Sequence, residues 1–219
     1  MSLQAVGGEG GPAERDPDLV SMLESDEDSI RISALGTVAG LHESSYLPHI
    51  VACLYHPNPE VRSKAAIAMR GVKDTIIADI ALLALVTEKD PDVIFDLILI
   101  FLYRPKKEAV DELLTYLDYP DYRVRSAAVD VLGALGGVFA RYDIIKPLLP
   151  LLDDARPSVV MVTLRSLVHV AESLLDRQLL EQIVTSTLKL DNNPNRMVAD
   201  LAVTVRRQIR ESLSMLGKD

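Results

Sequence analysis

Apolar residues in this chain recur in short helical phrases rather than in alternation. From Tyr46 to Tyr55, Leu47, Ile50, Val51 and Leu54 take the i, i+3, i+4 and i+7 positions of one helical face. His56-Pro57-Asn58-Pro59 ends that helix, because proline lacks an amide proton and pushes the residue before it out of helical geometry. Asn58 is placed to cap a second helix with Pro59 in its first turn, and Val61, Ala65, Ala66 and Met69 form its apolar stripe. The spacing predicts a helical hairpin over residues 46–73.

The hairpin recurs along the chain. Ile30, Val61, Val93, Val124, Val159 and Met197 each open a second helix, at steps of 31, 32, 31, 35 and 38 residues. First helices are predicted near 17–25, 46–56, 75–88, 107–118, 141–153 and 177–190. Second helices are predicted near 28–41, 59–72, 91–104, 121–135, 156–174 and 194–216. Counted from the opening residue, position +4 is small or apolar in every unit, from Ala34 and Ala65 to Thr163 and Leu201. Position +8 is apolar throughout, from Val38 and Met69 to Leu167 and Val205. One hairpin cannot bury such a face, so hairpins stack. The expected fold is all-α: an α-solenoid of about six hairpins forming a single domain over 16–219, behind a flexible tail at 1–15. Val93 to Leu102 is apolar almost all round, which places the third hairpin at the centre of the core. Gly136-Gly137-Val138-Phe139-Ala140 reads as a longer loop between repeats, with Phe139 either exposed or tucked into the stack.

Composition narrows the chemistry. Aromatics are 5% with no Trp, so packing falls to Leu, Ile, Val and Ala, as in close-packed helices. A net charge of −9 disfavours nucleic acid or anionic lipid as the main partner, since both need clustered Lys and Arg. Cys53 is the single cysteine, which suits a reducing compartment, and residues 1–15 lack the regions of a signal peptide. A cytoplasmic location is expected. His42, His49 and His56 are seven residues apart, which sets the last two roughly 10 Å apart along a helix, too far to share one zinc ion. They read as surface or capping residues. The acidic pairs Asp26/Asp28 and Asp153/Asp154 precede second helices and read as caps rather than acid–base partners. No catalytic set, metal site or cofactor site emerges.

The phrase Pro59-Glu60-Val61-Arg62-Ser63-Lys64-Ala65 and its counterparts resemble HEAT-like repeats, most closely the short subtype of the phycobilisome lyases, over residues 16–216. The resemblance implies that Arg31, Arg62 and Arg125 pair with acidic groups in the turns, a ladder broken by Ile94, Val160 and Val198. HEAT-like deoxyhypusine hydroxylases carry His-Glu pairs where this chain has Val61-Arg62 and Val124-Arg125, so that chemistry is unsupported. In such arrays positions +3, +6 and +10 of the second helices line a concave wall. Here the informative ones are Lys64, Ile67, Asp96, Leu99, Tyr103, Asp130, Val162, Arg165, His169 and Arg207. Ile67, Leu99, Tyr103 and Val162 would form an apolar centre and the charged residues its rim, the anatomy of a protein-binding site. Slightly misphased helices would instead bury these side chains. The expected function is a non-enzymatic scaffold that binds another protein or a peptide. The alternative is a bilin lyase subunit or chromophore-handling factor, with Tyr103 and His169 the aromatic candidates on the wall. A nucleic-acid repair enzyme is a third reading that the net charge disfavours. Arg206-Arg207-Gln208-Ile209-Arg210 reads as a solvated end cap, with phosphate or an acidic partner the functional alternative.

Overall fold

The computed structural model describes residues 16–171 and 176–216. The tail expected at 1–15 and the last residues of the second helix expected over 156–174 lie outside them. Among the described residues all regular structure is helical. First helices are α1 (Pro17–Leu23), α3 (Leu47–Cys53), α5 (Ile77–Thr87), α8 (Ala109–Leu114), α10 (Ile145–Leu148) and α12 (Arg177–Thr187). Second helices are α2 (Asp28–Leu41), α4 (Pro59–Gly71), α6 (Pro91–Ile98) with its continuation α7 (Ile100–Tyr103), α9 (Tyr122–Phe139), α11 (Pro157–Ala171) and α13 (Arg196–Met215). Counting α6 and α7 as one helix broken at Leu99 gives the six hairpins of an α-solenoid. The chain divides into two compact units, Met1–Ile77 and Ala78–Asp219.

In the first unit α1 packs on α2, α3 on α4, and the two second helices lie against each other. In the second unit the second helices form one layer in the order α6, α9, α11, α13, with the first helices on its other side. Core side chains come from the repeated offsets: Val61, Val93, Val124 and Val159 are all buried, as are Ala34, Ala65, Leu97 and Ala128 four residues after the opener. Val93, Ile94, Leu97, Ile98, Ile100 and Phe101 are buried together in the third hairpin, where an almost wholly apolar helix must be covered on several sides.

Capping follows the sequence. The side chains of Asn58, Asp90, Asp121 and Asn195 accept hydrogen bonds from the amides of Glu60, Asp92, Arg123 and Met197 at 2.9, 3.0, 2.8 and 3.0 Å. Asn195 also sets the register of the last hairpin. In each of these helices the buried opener stands three residues after the cap, so Val198 rather than Met197 is the equivalent of Val61. Val198 is fully buried and Met197 is 66% exposed.

The arginine after the opener binds backbone in the turn before it, and in Arg125 it also makes the expected pair with an acidic turn residue. Arg31, Arg62 and Arg125 each turn back six residues to a carbonyl in the turn between the two helices, on Ser25, His56 and Tyr119 at 2.7, 2.8 and 2.7 Å. A turn carbonyl lies outside the helical ladder, so the guanidinium supplies it a donor and ties the turn to the second helix. Arg125 also grips Asp154 of the next hairpin through two bonds of 2.7 and 3.0 Å. Further links between hairpins run between residues 30 or 31 apart: the Tyr116 hydroxyl donates to the Leu85 carbonyl at 2.9 Å, and Arg141 pairs with Asp111 at 2.7 Å. Burial pushes the Tyr116 phenol above its ordinary range, helped by the neighbouring Glu112 charge.

The loop expected at residues 136–140 is helical instead. α9 runs on to Phe139, which is half-buried, and ends at Ala140 in the left-handed conformation. Its glycines serve packing: a Cβ on Gly133 would sit 2.5 Å from Ser166 Cβ, and one on Gly136 would sit 2.4 Å from Ile144 Cδ1. The fifth first helix is shorter than expected. Pro147 and Pro150 leave only α10 between two 3-10 turns, because each proline removes a helical amide donor.

Candidate functional site

Position +3, +6 and +10 residues place the candidate face on the second-helix layer of the second unit. Tyr103 ends α7 and is 59% exposed, while Leu99, one turn earlier, is half-buried at the break between α6 and α7. Val162 on α11 is half-buried, and Arg165 and His169 follow it at one-turn intervals, both exposed. Asp130 projects from α9 between them, exposed beside the small Ala134. Asp96 is 8% exposed and lies among the core residues of α6, beneath the rim rather than on it. His169 rests against α9: a Cβ on Gly137 would lie 3.1 Å from its Nε2, so the missing side chain at Gly137 makes room for the ring.

In the last hairpin the buried Val198 shifts the equivalent positions by one residue. Leu201, Thr204 and Gln208 take the places of Val162, Arg165 and His169, and Arg207 stands beside them, exposed, at the lip of α13. Sequence reasoning missed Leu201, Thr204 and Gln208 because Met197 and Val198 are both apolar. The distance of three residues from cap to opener, read from Asn58, Asp90 and Asp121, was the signal that would have found them. In the first unit Lys64 and Ile67 are both half-buried on α4.

The remaining chemistry is structural. His49 Nδ1 lies 3.2 Å from Glu24, and His56 Nε2 lies 3.5 Å from Asp28, each bridging neighbouring hairpins. Cys53 is buried beside Arg31, and desolvation pushes its thiol above its ordinary range although Arg31 pulls the other way. Among the described residues no three His, Cys, Asp or Glu side chains are grouped to hold a metal ion, and no helix is long and apolar enough to cross a membrane. A cleft of about 760 Å³ opens on the first-helix side, lined by polar groups that include Tyr142, Asp143, Lys146, Gln178 and Gln182.

Residues 78–167 match the family model described as HEAT repeats. No curated protein matches the sequence. Among solved structures, a designed armadillo repeat protein in complex with the peptide (KR)4 is 19% identical with a TM-score of 0.65, covering 88% of this chain and 98% of its own. A computationally designed armadillo repeat protein for modular peptide recognition is 17% identical with a TM-score of 0.62, again covering 88% and 98%. At these identities the likeness establishes the fold, stacked helices of the armadillo and HEAT kind. The complex of CpcE and CpcF of phycocyanin lyase from Nostoc sp. PCC7120 is 17% identical over 97% of this chain and 100% of that one, but its TM-score of 0.43 is too low to carry an argument.

Proposed function

We propose that this chain, of which residues 78–167 match HEAT repeats, is a non-enzymatic scaffold whose second-helix face binds a peptide or a helix of another protein. What supports the reading is that Leu99, Tyr103 and Val162 stand half-buried or exposed on this layer, with the exposed charges of Asp130, Arg165 and His169 among them. Tyr103 contributes most: a large ring held at the end of a buried helix offers apolar area at little entropic cost, with a hydroxyl to orient a partner. A stack of the same fold is known in complex with a peptide, which supports this use of the face.

The test is selection of a random displayed peptide library on the purified protein, followed by titration of the selected peptide. Leu99→Glu with Tyr103→Glu is expected to abolish binding while circular dichroism stays helical. A folded double variant that binds as well as the parent overturns the assignment of the face.

A further inference from the structure

Three arginines stand apart from the rest. Among the described residues every arginine has a hydrogen bond, ion pair or ring contact except Arg165, Arg207 and Arg210. All three are exposed, and they sit on α11 and α13, neighbouring helices of the second-helix layer. Of the carboxylates near them, Asp191 binds the buried Arg206 and Asp200 pairs with Arg196 at 3.7 Å, so that Glu211 is the one acidic side chain bordering the same depression as Arg207 and Arg210. In a chain of net charge −9, this leaves a local surplus of positive charge at one end of the face. Arg207 and Arg210 also border a shallow depression of about 440 Å³ with the exposed Val203, Glu211 and Ser214.

We infer that the end of the face formed by α11 and α13 takes an acidic peptide segment of a partner protein, its carboxylates on Arg165, Arg207 and Arg210 and an apolar side chain on Val203. The inference rests on the scaffold reading and names the chemistry of its partner. Arg207 and Arg210 are three residues apart on one helical face, which sets their Cβ atoms roughly 5–6 Å apart. Carboxylates two residues apart on an extended peptide are spaced by about 6.8 Å, within reach of both guanidiniums, whose forked donors match carboxylate geometry. Charge also selects against nucleic acid: a continuous polyphosphate would have to pass Asp130, Asp200 and Glu211, whereas a peptide places its charges only where arginines meet them.

The test is fluorescence anisotropy with a labelled peptide of alternating Glu and Leu, its counterpart of alternating Lys and Leu, and single-stranded oligothymidylate. The Glu-Leu peptide is expected to bind, and to weaken as salt rises from about 50 mM to about 500 mM. Each exposed Arg→Gln substitution should weaken it roughly two- to fivefold, with Arg165→Gln, Arg207→Gln and Arg210→Gln combined removing most of the affinity. Absence of Glu-Leu binding, binding unchanged in the triple variant, or tighter binding of the oligonucleotide overturns the inference. If the Lys-Leu peptide binds instead, and loses affinity in Leu99→Glu/Tyr103→Glu, the scaffold reading stands while the acidic partner is ruled out.

Discussion

Arg125→Ala separates an interaction that holds the stack together from one that decorates it. The Arg125 guanidinium bonds Asp154 twice, at 2.7 and 3.0 Å, and the carbonyls of Tyr119 and Pro120 at 2.7 and 3.0 Å. The side chains of Arg125 and Asp154 are only 15% and 7% exposed. Removing one partner of such a pair strands the other charge away from water, which costs about 3–5 kcal/mol in a fully buried setting. Two features reduce that here. Asp154 keeps the amide of Arg156 at 2.8 Å, and the exposed Pro120 carbonyl can turn to water. We therefore expect a loss of about 2–4 kcal/mol. Arg123 is the built-in control. It pairs with Asp92 and Asp121 at 2.6 Å each, but its side chain and that of Asp92 are 45% and 63% exposed. Screening and side-chain entropy hold the value of such a pair to roughly 0–1 kcal/mol. Urea unfolding followed by circular dichroism measures both, with an unchanged slope showing that the same transition is compared. An Arg125→Ala cost no greater than that of Arg123→Ala refutes the argument that the Arg125–Asp154 grip is a structural joint between hairpins.

The glycines give a second contrast in the same assay. Gly133→Ala should cost about 1–3 kcal/mol, since its Cβ meets Ser166 at 2.5 Å, whereas Gly36→Ala, with nothing within 4 Å, should stabilise α2 by about 0.5–1 kcal/mol. Tyr116→Phe should cost about 1–2 kcal/mol by leaving the Leu85 carbonyl without its buried donor, and a neutral result would mean that water replaces the hydroxyl. Acid should weaken the fold late. Burial raises the Asp154 carboxyl, but the Arg125 hydrogen bond and the Arg156 amide outweigh it and hold it below the usual carboxylate range. Arg123 and Arg141 depress Asp121 and Asp143 in the same direction. Their stabilisation is complete above the ordinary carboxylate pKa of about 3.9 and is lost as pH falls through the lowered folded values. Stability should therefore hold at pH 5 and fall below about pH 4, and a main loss above pH 5 would contradict this account.

Much of the fold was legible because its signals are local. The apolar spacing in Leu47, Ile50, Val51 and Leu54, the stop at His56-Pro57, and the caps at Asn58, Asp90 and Asp121 all act within a turn or two of helix. A single hairpin thus shows itself, and its recurrence shows the stack. The candidate face follows from the same logic, since +3, +6 and +10 are set once the buried stripe is fixed, but Asp96 proves buried and the last hairpin is shifted by one residue.

Tertiary structure decided what depends on neighbours far along the chain. Met197 and Val198 are equally apolar, and burial against α11 and α12 is what selects Val198, turning Leu201, Thr204 and Gln208 onto the face. Gly136 and Gly137 look like a loop by composition, yet close approach of Ile144, Val170 and His169 makes them helix. Which arginines are spent and which are free is likewise invisible in sequence. Arg125 finds Asp154 because stacking brings the next hairpin within reach, and Arg206 finds Asp191 because the last hairpin folds back on itself, while among the described residues Arg165, Arg207 and Arg210 form no ion pair. Periodicity fixes where a side chain points along its own helix; only packing fixes what it meets there.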